Sequence, residues 1–378
     1  MHEHLFYYFI FNQPFILSYL SAIETAVPQY RYHQNDLAEF FQNTAEDTSI
    51  KRKMKMVAHK SGIQTRYSVL ADFGNHPSDF TFYEKNWDLS PAVSLTKRME
   101  IYKTNALQLS IAAIQKIANF ESIKNSITHI ITVTCTGLFA PGMDIELIQA
   151  LNLNPKTQRS SINFMGCNAA IIALNQANSI CNSQSDAKVL IVCTELCTIH
   201  IQNSFTDDYL LSNSLFSDGS AAAIVSSKPQ HLPEYNDLEI TSFDSLIIHE
   251  GQNDMAWQLS EYGFLMSLSA YISNLINGNI SKMLGDLNIQ KEKINFWAIH
   301  PGGKKILDDF AMVFDFKNNE IESAYHVLKN YGNMSSPTIL FVLKELISNN
   351  EHKKSGDTIF TAAFGPGLTI ETMQLAYV

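Results

Sequence analysis

Three residues in this chain of 378 have side chains suited to thiol-based acyl transfer. Cys167 lies in Asn163-Phe164-Met165-Gly166-Cys167-Asn168-Ala169-Ala170. His300 lies in Phe296-Trp297-Ala298-Ile299-His300-Pro301-Gly302-Gly303. Asn333 lies in Tyr331-Gly332-Asn333-Met334-Ser335-Ser336. Each stands where an apolar run meets a Gly-marked turn. The thiolate is the reactive form of cysteine, and a helix N-terminus or a nearby imidazolium lowers a thiol's pKa. Cys167 has the first if residues 169–181 are helical, and His300 is the candidate for the second. Asn333 is a neutral N–H donor of the kind an oxyanion site uses. Each residue also has a plainer use taken singly. A cysteine before an apolar helix packs as a small hydrophobe, a histidine at a strand end is often structural, and an asparagine after glycine caps a turn. The chemistry requires that the three meet in space.

Other chemistries fit the spacing less well. A zinc site needs paired ligands, and Cys193 and Cys197 have no matching second pair. Cys167 and His300 are separated roughly as in papain-like proteases, but the surrounding Cys-Gly-Ser-Cys-Trp pattern is missing. Gly365-Pro366-Gly367 lacks the Gly-Lys-Ser/Thr of a phosphate loop.

The elements that must carry these residues read as α/β. Short β-branched runs at 130–134, 189–193, 221–225, 294–299 and 358–363 predict buried strands. Helical spacing covers 105–117, 144–151, 169–181, 265–284 and 337–347. Alternation of the two indicates buried sheets covered by helices. Gly166-Cys167 and Gly332-Asn333 each precede an apolar helix, an internal echo that suggests a duplicated unit with the site between its halves. The best boundary is 231–239, which gives a leader at 1–15, an N-terminal half at 16–230 and a C-terminal half at 231–378.

Hydrophobic residues make up 46% of the chain and charged ones 17%, enough for a large core. The net charge of −10 argues against a nucleic-acid partner. Five cysteines read as reduced thiols of a cytoplasmic protein. Residues 5–20 are very apolar, but no Lys or Arg precedes them and Asn12-Gln13-Pro14 interrupts them. The expectation is a floppy leader and a buried strand, without stable membrane insertion. Lys51, Arg52, Lys53, Lys55, Lys60 and Arg66 crowd one stretch, either as a solvated helix face or as a docking site for a polyanion such as coenzyme A.

Taken together, Gly166-Cys167, Trp297-Ala298-Ile299-His300-Pro301-Gly302-Gly303, Tyr331-Gly332-Asn333-Met334-Ser335-Ser336 and Phe364-Gly365-Pro366-Gly367-Leu368-Thr369-Ile370-Glu371-Thr372 closely resemble the type III polyketide synthases, the chalcone synthase family. The likeness runs from Ser18 to the C-terminus. It implies a thiolase-like, duplicated αβαβα five-layer α/β fold and a homodimer. It also implies that Cys167 takes an acyl group from a starter acyl-CoA, with His300 keeping the sulfur ionised. His300 and Asn333 would bind malonyl-CoA, promote its decarboxylation and stabilise the enolate that attacks the acyl-enzyme. No metal or redox cofactor is implied, and CoA thioesters are the substrates. An acyl carrier protein is the alternative source of acyl groups.

The resemblance places further residues. Phe216 matches a gatekeeper aromatic, and Met266, with Phe264 close by, aligns with the second gatekeeper. Lys53 and Lys60 match CoA-binding cations, while a third cation falls on Met56, with Lys55 its possible substitute. Cys135, Cys197, His200 and Trp257 fall on the cavity wall, and Pro366 on the adjoining Gly-Pro-Gly loop. Cys135 reads first as a wall residue, second as a redox-active or acyl-accepting thiol. Trp257 replaces the small glycine of plant members and should shrink the space for an aromatic starter. These departures suggest a microbial-type enzyme making alkylpyrones or alkylresorcinols from an aliphatic or fatty starter. The rival readings are a ketoacyl synthase III-like enzyme that condenses once and a non-catalytic partner subunit of the same fold.

Overall fold

The computed structural model describes residues 17–252, 254–269, 275, 276, 278, 285, 289–317, 319–349 and 353–378. The expected leader at 1–15 lies outside them. The chain forms strands β1 (Tyr19–Ala26), β2 (Tyr30–His33), β3 (Thr65–Ser68), β4 (His129–Thr134), β5 (Gln158–Asn163), β6 (Lys188–Leu196), β7 (Asp218–Ser226) and β8 (Leu238–Ile247). It continues with β9 (Met255–Ser260), β10 (Gly263–Leu268), β11 (Phe296–Ile299), β12 (Thr358–Gly365) and β13 (Thr369–Tyr377). Its main helices are α1 (Gln34–Asn43), α2 (Thr48–Lys60), α3 (Leu95–Ile114), α4 (Met143–Ala150), α5 (Ala169–Ser183), α6 (Asp207–Leu215), α7 (Lys304–Val313), α8 (Glu322–Tyr331) and α9 (Thr338–Asn349).

One nine-stranded sheet runs in the order β11-β12-β13-β8-β1-β7-β6-β4-β5. Strands β4, β6, β7 and β12 are buried almost throughout because both of their faces are covered, whereas the edge strand β5 is polar and half exposed. Alternate residues separate into distinct cores. Ile130, Leu190, Val192, Ala222 and Ile224 pack on one side, whereas Ile131, Val133, Val189, Ile191 and Val225 pack on the other. Helix α3 covers the first side, lying on β1, β6 and β7.

The sheet repeats a pattern. In the first half β4 runs parallel to β6, β6 is antiparallel to β7, and β7 is antiparallel to β1. In the second half β11 runs parallel to β12, β12 is antiparallel to β13, and β13 is antiparallel to β8. The repeats join where β1 meets β8, through Tyr19 opposite Glu239 and Leu20 opposite Leu238. Helix α5 precedes β6 as α9 precedes β12, so the two are counterparts. Helix α5 packs on β4, β6 and β7 and also on β13, while α9 packs on β1, β7 and β11. The two helices are thus the middle layer that both repeats share.

One sequence expectation is corrected. Residues 265–268, read as the start of a helix, belong to strand β10. A tight turn at Glu261-Tyr262 pairs Ser260 with Gly263, whose φ of 118° suits glycine, and the hairpin holds the next residues in ladder register. Part of 269–284 lies outside the described residues. Among the described residues, no helix is long and apolar enough to cross a membrane.

Candidate active site

The carboxyl ends of the parallel strands converge, the usual place for a crevice in open α/β sheets. Cys135 follows β4, Cys167 stands just beyond β5, and Cys197 follows β6. His300 follows β11, and Pro366 follows β12. A cavity of about 50 Å³ opens there, lined by Cys135, Cys167, Cys197, Phe216, Trp257, Met266, His300, Asn333 and Pro366. The cysteine, histidine and asparagine read from the sequence therefore share one wall-to-wall space.

Cys167 is set by its neighbours on either side. Gly166 has φ of 90°, and a Cβ there would lie 1.9 Å from Pro366 Cδ, so only glycine lets this turn close against the β12–β13 loop. Asn168 precedes α5 and donates from Nδ2 to Thr369 Oγ1 at 2.8 Å. The two repeats thus clasp each other next to the sulfur.

His300 is fully buried, and its backbone N–H donates to Ala362 O at 2.8 Å. Neither ring nitrogen has a hydrogen-bond partner among the described residues. An unpaired buried polar group costs about 1–3 kcal/mol, and such groups mark sites that act on something else. Burial pushes the imidazole down to about 3, so the ring is neutral and offers a free lone pair.

Asn333 has its amide orientation decided for it. The Ser335 backbone N–H donates to Asn333 Oδ1 at 2.8 Å, and Thr338 Oγ1 reaches the same oxygen at 3.4 Å. That leaves Nδ2 to point at Cys167 Sγ, 4.0 Å away. Ser335 has φ of 61°, a backbone state that non-glycine residues rarely hold.

The thiol behaves differently from the sequence expectation. Burial pushes Cys167 up to about 11, and Glu195 adds to the rise. Donors from Ser335, Asn333 and the Cys167 backbone act the other way without prevailing. Desolvation outweighs the helix end, so the thiol expected to be lowered is raised.

Glu195 lies fully buried behind the pocket. It accepts from Ser336 Oγ at 2.6 Å, Thr136 Oγ1 at 2.7 Å, the Cys135 backbone at 2.8 Å and Thr134 Oγ1 at 3.2 Å. Sequence reading passed over it because it sits inside an apolar strand run.

His200 and Phe264 stand behind the main cavity, in a side chamber of about 20 Å³ that shares Cys197, Phe216, Trp257 and Met266 with it. His200 Nε2 donates to Thr136 O at 2.7 Å, and Phe264 N donates to Nδ1 at 3.1 Å, which fixes a neutral tautomer. Burial pushes this ring down to about 3 as well. His200 stacks on Phe264 at 4.3 Å, and Trp257 meets both edge-on while donating from Nε1 to Cys135 O at 2.7 Å. The wall is therefore rigid. Cys135 Sγ accepts from Gly166 N at 3.0 Å, and burial raises this thiol and that of Cys197.

The cationic candidates divide. Lys60 lines an outer cleft of about 270 Å³ with Met56, Lys304 and Lys305. Gly302 and Ile306 line both this cleft and the inner cavity, so the two adjoin. A Cβ on Gly302 would lie 2.9 Å from Ile306 Cδ1 and 4.0 Å from His300 Nε2, so its hydrogen keeps the junction open. Lys53 instead pairs with Asp207. Lys55 is exposed on α2 and is not among the residues that line the cleft. Arg66, grouped in sequence with the surface lysines, is buried at 2% exposure. Among the described residues no group of three or more His, Cys, Asp or Glu could hold a metal ion.

Residues 17–229 match the model of the chalcone and stilbene synthase N-terminal domain, and residues 239–378 match that of the C-terminal domain. The fold is similar to the crystal structure of PKS-I from the brown alga Ectocarpus siliculosus, with a TM-score of 0.87, 24% identity and coverage of 97% of this chain and 100% of that one. It is also similar to the C-terminal type III polyketide synthase domain of Steely1, a type I/III hybrid from Dictyostelium. There the TM-score is 0.84, the identity 27% and the coverage 96% of this chain and 99% of that one.

Proposed function

Because this chain belongs to the chalcone and stilbene synthase family of type III polyketide synthases, we propose that its shared pocket runs iterated decarboxylative condensation with Cys167 as the nucleophile. In this reading Cys167 Sγ attacks the carbonyl of a starter thioester as His300 takes the cysteine proton. His300 passes that proton to the departing CoA sulfur, so that CoA leaves as its thiol and the ring returns to its neutral form. Malonyl-CoA then enters, and its thioester oxygen accepts from the His300 ring N–H and Asn333 Nδ2. The carboxylate leaves as carbon dioxide, and the electron pair it leaves behind becomes an enolate held by the same two donors. That carbon attacks the acyl-cysteine, a carbon–carbon bond forms, and the sulfur departs. Repetition and ring closure complete the product. The single supporting observation is the Asn333 amide, locked so that its N–H faces Cys167 in the cavity that also holds His300.

The reaction as proposed uses CoA thioesters and no metal or redox cofactor. Lys60 and Lys304 at the outer cleft suit the phosphates of CoA, with the acyl arm passing Gly302. An acyl carrier protein is the other possible donor. Halves at 16–230 and 231–378, a homodimer and a cytoplasmic setting complete the reading.

For the starter we propose an aliphatic acyl group and a pyrone or resorcinol product. Trp257, Met266, Phe216 and Phe364 make the cavity apolar, and its volume of about 50 Å³ suits a short chain better than a fatty or aromatic one. The experiment is a panel of acyl-CoA starters with malonyl-CoA, read by mass spectrometry, on wild type and Cys167→Ala. Wild type should extend aliphatic starters more than once. The variant should lose extension yet still release carbon dioxide from malonyl-CoA. A single extension would make the enzyme ketoacyl synthase-like, and no turnover with any thioester would leave a non-catalytic partner subunit.

A further inference from the structure

We propose that Arg66 is a positioning residue for the condensation, holding Phe216 and Asn333 in their places opposite Cys167. The inference rests on the reading of Asn333 given above. Arg66 is the second residue of strand β3 and is buried, unlike the exposed Lys55 and Lys60 that precede it in sequence. Its Nη1 donates to Phe216 O at 2.7 Å, and its Nε donates to Gln34 Oε1 at 2.8 Å. Gln34 is itself held, donating from Nε2 to Ser214 O at 2.7 Å. The buried Asp218 supplies the opposing charge, and it is fixed by bonds from Val69 N, Thr198 N and Thr198 Oγ1 at 2.9, 2.8 and 2.7 Å.

The peptide that Arg66 grips is the one tied to Asn333. Asn333 N donates to Leu215 O at 3.1 Å, and Ser217 N donates to Asn333 O at 2.9 Å, a parallel bridge that pairs Phe216 with Asn333. The stem of Arg66 also abuts the residue before Asn333. A Cβ on Gly332 would lie 3.0 Å from Arg66 Cγ and 3.0 Å from Leu215 O. One buried guanidinium thus braces the strap 215–217 and the turn 332–333 together. If it is lost, the strap and the amide donor drift as a unit, while Cys167, carried by α5, stays where it is.

Arg66→Lys is the test variant, because it keeps a charge opposite Asp218 but replaces the fork with a point donor unable to make both bonds. Arg66→Met is its companion, and Gln34→Ala is the control that spares the Phe216 bond. Malonyl-CoA decarboxylation and starter loading on Cys167 are measured, with kcat expressed per acylatable thiol and folding followed by circular dichroism. Arg66→Lys should lower the decarboxylation kcat about 10- to 100-fold, the scale of one buried charged hydrogen bond. Its KM and starter loading should stay within about twofold of wild type, and Gln34→Ala should lose far less. Unchanged kcat per acylatable thiol in a folded Arg66→Lys overturns the inference. If Arg66→Met fails to fold, Arg66→Lys alone decides. If wild type itself releases no carbon dioxide, the reading of Asn333 fails before Arg66 is tested.

Discussion

Ser335 donates its backbone N–H to Asn333 Oδ1, where Thr338 Oγ1 joins it, and Asn333 therefore presents a donor rather than an acceptor to Cys167. The Ser335 side chain also stabilises the thiolate of Cys167. The same residue therefore acts on both members of the pair.

Ser335→Ala should keep the backbone bond and lose the hydroxyl. The Cys167 thiol then rises further above its usual range, and less of it is ionised at any given pH. Iodoacetamide labelling of Cys167 at pH 8 should slow several-fold, while malonyl-CoA decarboxylation changes little. Asn333→Ala should do more. Loss of one oxyanion donor costs about 2.7–4 kcal/mol, so decarboxylation should fall by two to three orders of magnitude, on the order of 10² to 10³.

Glu195→Gln should act on the thiol in the opposite sense. The buried carboxylate raises Cys167, so removing its charge should speed labelling at fixed pH. The amide would keep its oxygen toward the Cys135 and Thr136 donors and turn its NH2 to Ser336 Oγ, so every bond to this group loses its charge assistance and the Ser336 bond must reverse. A destabilisation of about 1–3 kcal/mol should appear in urea unfolding. Slower labelling in a folded variant would contradict the electrostatic assignment.

Acid should unfold this protein through its buried imidazoles. His300 and His200 are both held near 3, against 6.5 for a free side chain. Their folded pKa is depressed, so the unfolded chain binds protons first as the pH falls. Stability is intact above about 6.5 and is lost progressively from there toward 3. His300→Gln should remove about one proton from that slope, measured as the unfolding free energy against pH. An unchanged slope would show that the ring is not sealed.

The wall at Trp257 should control starter size. Trp257→Gly removes an indole pinned to Cys135 O and opens the side chamber toward His200. Product masses should shift toward bulkier starters, with aromatic acyl-CoA gaining most. At the outer cleft, Lys60→Ala combined with Lys304→Ala should raise KM for malonyl-CoA several-fold and weaken its salt dependence, leaving kcat nearly unchanged.

What the sequence disclosed follows from what was buried on both sides. Residues 130–134 and 189–193 read as strands because β-branched and apolar side chains follow one another without polar alternation, as suits strands covered on both faces. Cys167, His300 and Asn333 stood out because glycine marks each turn at a strand end or helix start. Glu195 was hidden by the apolar run around it, and Ser335 by being an ordinary turn residue whose role depends on a φ of 61°. Arg66 read as one more cation, since nothing local says that its guanidinium turns inward to Phe216. Residues 265–268 were misread because short apolar runs fit either period until the turn before them is known.

Among the described residues the central sheet is stitched across its middle by Tyr19–Glu239, Leu20–Leu238 and a bond from Ile240 N to Ser18 O at 2.9 Å. The repeats are laced instead by α5 and α9, each lying on strands of both. Neither repeat can therefore close its own core in isolation. Two separately made fragments cut between β7 and β8 should each be molten or insoluble, yet should knit into a working enzyme when refolded in one another's presence.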